Sequence, residues 1–195
     1  MSSEPLEPPS TPLPLPPEVR RRIAAFDAAA DRAFDRLRGQ PATDRLFYAA
    51  SELGDFSLLW HLVNSARALR PGDHIEESVR LAAGLGLEAV LVNGLVKSVF
   101  GRRRPTYLGP HPHRLRRPLT SSFPSGHASA AFFAAGLLSE RSRWSPAWHG
   151  LAAVVAASRI YVKIHHASDV AGGVMVGVVL ARLARRAWPL DHRLE

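Results

Sequence analysis

The chain has 195 residues, enough for one domain with a sizeable core and too few for two ordinary ones. Cysteine is absent, which excludes disulfides, zinc–thiolate sites and cysteine nucleophiles. A net charge of +8 points to anionic partners such as nucleic acid, anionic lipid or a phosphorylated substrate, and composition does not choose among them.

Residues 1–17 are Pro-rich with Ser, Glu and Thr, a composition that buries little apolar area and predicts a disordered or polyproline-like tail. The tail has no basic start followed by an apolar run and a small-residue cleavage site, so no cleaved signal peptide is expected. From Glu18 to Arg38 the pattern becomes helical. Val19, Ile23, Phe26, Ala30, Phe34 and Leu37 follow three-to-four-residue spacing, and Arg20, Arg21, Arg22, Arg32, Arg36 and Arg38 carry charge elsewhere on the helix. Such an amphipathic helix suits a membrane interface, and equally a surface helix packed on the domain.

Apolar stretches follow. A weaker one over 46–66 contains Glu52, Asp55 and His61. The next, over 81–100, is interrupted by Glu88 and Lys97, and three more cover 128–139, 147–162 and 170–183. None is a clean run of about twenty uncharged residues. A mean hydropathy of −0.06 is low for a chain in a bilayer, but the polar residues are concentrated in the tail and a few loops. Short connections, abundant Gly, Ala and Ser, and the preceding amphipathic helix favour a membrane over a soluble bundle. The expected fold is all-α: a membrane-embedded bundle of about five hydrophobic helices plus an N-terminal amphipathic helix, with one domain over 18–190.

Three clusters carry chemistry. In the first, Lys97 and Arg104 are seven residues apart, close to two helical turns, so they share a face if the helix extends that far. Pro105 disfavours helix at Arg104. Two cations together suit a group with several anionic oxygens, although a basic helix end anchored among lipid headgroups looks the same in sequence. In the second, Ser122-Phe-Pro-Ser-Gly-His127 opens an apolar helix. The N–H groups at its start form an anion site, Gly126 permits close approach, and His127 stands beside it. An ordinary capped helix would also carry this pattern. In the third, Asp169 follows His165 by four residues and can orient its ring, leaving the other nitrogen to attack phosphorus, while Arg159 neutralises oxygens. A structural His–Asp pair or a metal site at His165, His166 and Asp169 are the other readings. Helices that cross the membrane alternately bring all three clusters to one end of the bundle.

Taken together, Lys97 to Pro105, Pro124 to His127 and Ser158 to Asp169 resemble, in order, the signature K-x6-R-P, P-S-G-H and S-R-x5-H-x3-D. This is the signature of the type 2 phosphatidic acid phosphatase superfamily, which includes membrane lipid phosphatases, soluble acid phosphatases and vanadium haloperoxidases. The resemblance spans about residues 80–185. It implies that His165 is a nucleophile forming phosphohistidine, Asp169 its orienting carboxylate and His127 the acid for the leaving oxygen. It further implies that Lys97, Arg104, Ser125, Gly126 and Arg159 hold the phosphoryl oxygens, with no metal or cofactor. Lys163 and Ile164 stand where Gly and an apolar residue are usual, and His166 and Ala167 where Tyr and Pro are frequent.

The function implied is a lipid phosphatase acting on a phosphomonoester or diphosphate: a polyprenyl diphosphate, a polyprenyl-linked sugar phosphate or a phosphatidate-type lipid. A non-catalytic lipid-phosphate-binding protein and a haloperoxidase are the alternatives on the same scaffold. No nucleic-acid motif accompanies the charge. The basic loop with His111, His113, Arg114, Arg116 and Arg117 is either solvated or touches a headgroup. The expected location is the plasma membrane of a bacterium. Counting positive charges puts the site on the cytoplasmic side, but cations that serve phosphate say little about topology, so either face is compatible.

Overall fold

The computed structural model describes residues 15–70, 74–107, 112–113, 115–116 and 120–190. Residues 1–14 of the Pro-rich tail, and His111, Arg114 and Arg117 of the basic loop, lie outside the described residues. Among the described residues the chain forms seven α-helices and no strand: α1 (Pro17–Asp35), α2 (Pro41–Leu53), α3 (Leu58–Ala68), α4 (Ile75–Val99), α5 (Gly126–Leu138), α6 (Ser145–Tyr161) and α7 (Ala167–Ala187). Prolines in the first turn of α1, α2 and α6 start these helices where a missing N–H costs nothing.

The centre of the bundle is α5. Its sequence is apolar on all sides, and it is buried from Ala128 to Leu138 among the other helices, as an all-round hydrophobic helix must be. Its strongest partner is α7, and glycines set the distance. A Cβ on Gly177 would lie 2.2 Å from the Ser129 carbonyl oxygen, and one on Gly173 2.4 Å from that of Ser125. Close backbone approach through small residues is how helices pack where lipid supplies no hydrophobic drive.

Helices α4 and α7 are long and apolar enough to cross a membrane. Their outer faces expose Leu87, Val90, Leu95, Val99, Met175, Val179 and Leu183. An apolar belt of that extent is matched by a hydrocarbon surround rather than by water. At 13 residues α5 is about 20 Å long, shorter than the roughly 30 Å hydrocarbon core, and it is enclosed by protein instead.

Three local expectations are corrected. The stretch 46–66 is two helices, because Phe56 (φ 53°) and Ser57 (φ 58°) adopt left-handed backbone and break it after Gly54. Helix α4 ends at Val99, with Phe100 extended, so Arg104 lies on a loop and a shared helical face is not what unites it with Lys97. The α4–α5 connection, residues 100–125, is long rather than short, and it carries site residues. A π-helical turn at Leu91–Val96 precedes Lys97, the kind of irregularity often found beside functional sites.

Helix α1 is amphipathic and docks across the ends of α6 and α7. Arg38 donates to the last carbonyls of α6, Tyr161 and Ile160, both at 2.8 Å. Lys163 reaches Asp31 at 2.8 Å and Asp35 at 3.2 Å. The other face leaves Val19 and Phe26 exposed, so the helix packs on the domain and still presents an apolar stripe outward.

Candidate active site

The third cluster forms a buried assembly at the start of α7. His166 is the N-cap of α7 and Asp169 its third residue, and each side chain accepts from the other's backbone N–H in a capping box. This local geometry points the Asp169 carboxylate back toward His165. Their closest approach, Nδ1 to Oδ2, is 3.7 Å, longer than a direct hydrogen bond. Ser122 stands between them: its hydroxyl donates to Asp169 Oδ2 at 2.5 Å and lies 3.4 Å from His165 Nδ1. On the other side of the ring, Arg104 Nη1 lies 3.1 Å from His165 Nε2. A guanidinium only donates, so Nε2 is the lone-pair nitrogen and the proton sits on Nδ1, facing the carboxylate. Burial, opposed by Asp169 and reinforced by the charges of Arg104 and Arg159, pushes the His165 imidazole down to about 3. The ring is therefore neutral at pH 7, as a nucleophile requires.

The second cluster meets the third directly. The Ser125 N–H donates to the Asp169 carbonyl at 3.0 Å, and the Ser125 hydroxyl caps α5 by accepting from Ala128 N–H at 3.5 Å. The Ser125 N–H is thereby occupied, and the N–H groups of Gly126 and His127, in the first turn of α5, have no intrahelical acceptor. A Cβ on Gly126 would lie 3.1 Å from Asn93 Oδ1 and 3.6 Å from Lys97 Nζ, so the missing side chain lets α4 bring Lys97 up to the start of α5. His127 Nε2 lies 2.9 Å from Asp55 Oδ1. Asp55 comes from the break between α2 and α3, and Gly54 beside it packs so closely that a Cβ would lie 2.7 Å from the His127 ring.

Cations converge between the two histidines. Arg159, 1% exposed, donates to Ser51 through Nη1, while its Nε and Nη2 are buried with no partner among the described residues. Arg104 donates to the carbonyls of Ile164, Thr120 and Ser121, and its Nε likewise has no partner among the described residues. Burial draws Arg104 down to about 10, still charged at neutral pH. Buried guanidinium donors are costly unless satisfied, and a group with several anionic oxygens satisfies them.

Asp55, Ser122, Ser51 and Arg102 belong to this constellation although sequence reasoning gave none of them a role. Asp55 carried a signal, a carboxylate in an otherwise apolar stretch, whereas Ser122 and Ser51 carried none. Glu88, in α4, is also buried, with Oε1 unpartnered. The unusual Lys163 has φ 55°, left-handed backbone that favours glycine, and its ammonium pairs with α1. In the basic loop, Arg116 stacks on Phe56 at 4.3 Å and His113 meets the Tyr48 ring edge-on at 5.2 Å. A cavity of about 560 Å³ between α1 and the loop at Gly101–Thr106 reaches His165, and one of about 360 Å³ opens at Ser51, Glu52 and Asp55.

A family model described as the PAP2 superfamily matches residues 77–193. The "Probable lipid phosphate phosphatase beta" of Arabidopsis thaliana is 31% identical over 140 residues, 57% of this chain and 65% of that protein, so the chain spans just under two thirds of it. The decaprenylphosphoryl-5-phosphoribose phosphatase of Mycobacterium tuberculosis is 31% identical over 170 residues, 85% of this chain and 88% of that one. Among solved structures, the transmembrane PAP2 type phosphatidylglycerolphosphate phosphatase from Bacillus subtilis superposes with a TM-score of 0.65 at 23% identity, covering 92% of this chain and 90% of that chain. The chain therefore belongs to the PAP2 superfamily and folds as a membrane-embedded all-α bundle.

Proposed function

We propose that the protein hydrolyses a phosphorylated membrane lipid through a phosphohistidine at His165, in the plasma membrane of a bacterium. The observation that carries this reading is the set of buried, unpartnered guanidinium donors of Arg159 and Arg104 beside the lone pair of His165 Nε2. An incoming phosphoryl group takes over the Arg104 contact and exposes that lone pair to phosphorus. The Nε2–P bond forms as the bond to the leaving oxygen breaks, and the leaving oxygen takes a proton from His127. Asp55 accepts from Nε2–H of His127 and favours its imidazolium form, whose Nδ1 proton is the one given to the leaving oxygen. Asp169 and Ser122, which face the Nδ1 proton, stabilise the positive charge that builds on His165. Lys97, Arg104, Arg159, Ser125 and the backbone at Gly126 hold the phosphoryl oxygens, and this fixed charge supplies most of the acceleration. In the second step water attacks phosphorus, His127 takes its proton, the Nε2–P bond breaks and inorganic phosphate leaves.

Among lipid phosphates, a polyprenyl-linked sugar phosphate heads the choice, because the relative named for that chemistry aligns over most of both chains. Polyprenyl diphosphate and phosphatidate-type lipids share the same reacting group. The test is phosphate release by purified protein in detergent with EDTA, from polyprenyl-linked sugar phosphate, polyprenyl diphosphate, phosphatidylglycerophosphate and phosphatidate, with His165→Ala alongside. Release in chelator that the substitution abolishes is the expected result. Release undiminished in His165→Ala would remove the nucleophile assignment. No release from any lipid would turn the reading to a lipid-phosphate-binding protein.

A further inference from the structure

The nucleophile assembly extends beyond the three clusters into α1. Arg102 bridges two carboxylates: Nη1 donates to Asp169 Oδ1 at 2.5 Å and Nη2 to Asp27 Oδ2 at 2.6 Å. Asp27 is the buried residue of α1, 8% exposed. Its remaining contacts run to the same place. Asp27 Oδ1 accepts from the Ser168 N–H at 2.8 Å, in the first turn of α7, and Oδ2 accepts from the Ser168 hydroxyl at 2.8 Å. Ser168 in turn accepts from Arg102 Nη1 at 2.7 Å. Asp27, Arg102, Ser168 and Asp169 thus form a closed hydrogen-bonded unit in which α1 supplies the outermost carboxylate.

Charge gives this unit a purpose. Attack on phosphorus makes His165 cationic in a pocket that already holds Arg104 and Arg159, so the neighbouring carboxylate must keep its negative charge available. Arg102 alone would cancel Asp169 by pairing with it. With Asp27 on its other edge, Arg102 is shared, and the Asp27–Arg102–Asp169 unit retains one net negative charge facing His165. We infer that Asp27 is a positioning residue of the catalytic centre, acting through Arg102 to keep Asp169 oriented and negatively charged, so that docking of α1 completes the site. The hydrogen bonds of Asp27 run to Arg102 and Ser168 rather than to His165. The inference rests on His165 being the nucleophile.

The test is a double-mutant cycle in the full-length chain, with kcat and KM measured on whichever lipid phosphate is turned over. Asp27→Asn is isosteric and keeps an acceptor for Ser168 while removing the charge. It is expected to lower kcat about tenfold and to leave KM within about twofold. In an Arg102→Gln background the same substitution is expected to change kcat by less than about twofold, because the residue through which Asp27 acts is gone. Rates are referred to the fraction of each variant that elutes as folded, monodisperse protein. An unchanged kcat in Asp27→Asn overturns the inference. So does an equal loss in both backgrounds, which would make Asp27 only an anchor for α1 through Ser168, or a rise in KM alone. His165→Ala, run in parallel, separates the two levels. Activity that survives it removes the nucleophile and this inference together, whereas activity abolished by it beside a silent Asp27→Asn removes this inference only.

Discussion

In the proposed reaction, His165 is a buried ring prepared for attack on phosphorus. Arg104 holds its Nε2 as the lone-pair nitrogen, Ser122 and Asp169 face Nδ1, and burial keeps the ring neutral well below the ordinary histidine range. The same burial links stability to pH. An unfolded chain protonates this ring near the usual 6.5, and the folded protein only near about 3. Between those values the unfolded state binds more protons, so this residue makes stability fall as pH drops from about 6.5 toward 3. Thermal unfolding in detergent across that window should therefore show a shallower pH slope for His165→Asn than for the parent. An identical slope would mean that the ring is not held neutral. Asp55 plays the equivalent orienting part for His127, occupying one ring nitrogen and leaving the other for proton exchange.

Helix packing rather than helix propensity brings these residues together. The α5–α7 crossing sets Ser125 against Asp169, and it depends on glycines whose replacement meets backbone, not movable side chains. Gly177→Ala should destabilise the fold by about 1–3 kcal/mol through overpacking against Ser129 and Phe133. Gly86→Ala on α4, where an added Cβ meets nothing within 4 Å, should be neutral or slightly stabilising. Unfolding midpoints of the two variants in one detergent compare these directly, and equal midpoints would contradict the close-approach account. The break at Phe56 and Ser57 has a similar role at the other side of the pocket, since it turns Asp55 toward His127 instead of continuing a helix past it.

For the molecule as a whole, α1 lies at the end of the bundle that holds the histidines, and the α5–α6 connection lies at the opposite end. The chain contains no cysteine, so single cysteines report this arrangement without background. Arg22→Cys on α1 and Arg143→Cys between α5 and α6 should react with a membrane-impermeant maleimide from opposite faces in sealed vesicles. Whichever face labels Arg22→Cys is the face that carries the site. Labelling of both from one face would overturn the alternating arrangement of the helices.

Much of this protein is written in local patterns. Hydrophobic periodicity and the spacing of Lys97, Arg104, His127, Arg159, His165 and Asp169 were enough to expect an all-α membrane bundle and a phosphate site at one end, because such features span only a few residues each. Other parts depend on partners distant in sequence. Asp55 meets His127 from 72 positions away, and Arg102 joins Asp27 and Asp169 across 75 and 67 positions. Neither pairing leaves a periodic trace, and each exists only once the glycine-lined crossing, the broken α2–α3 segment and the docked α1 are in place. The helical face that Lys97 and Arg104 would share if the helix continued does not form, as Pro105 already suggested. Backbone at Phe100 leaves the helix, and it is the folded loop, anchored to Thr120, Ser121 and Ile164, that returns Arg104 to the site.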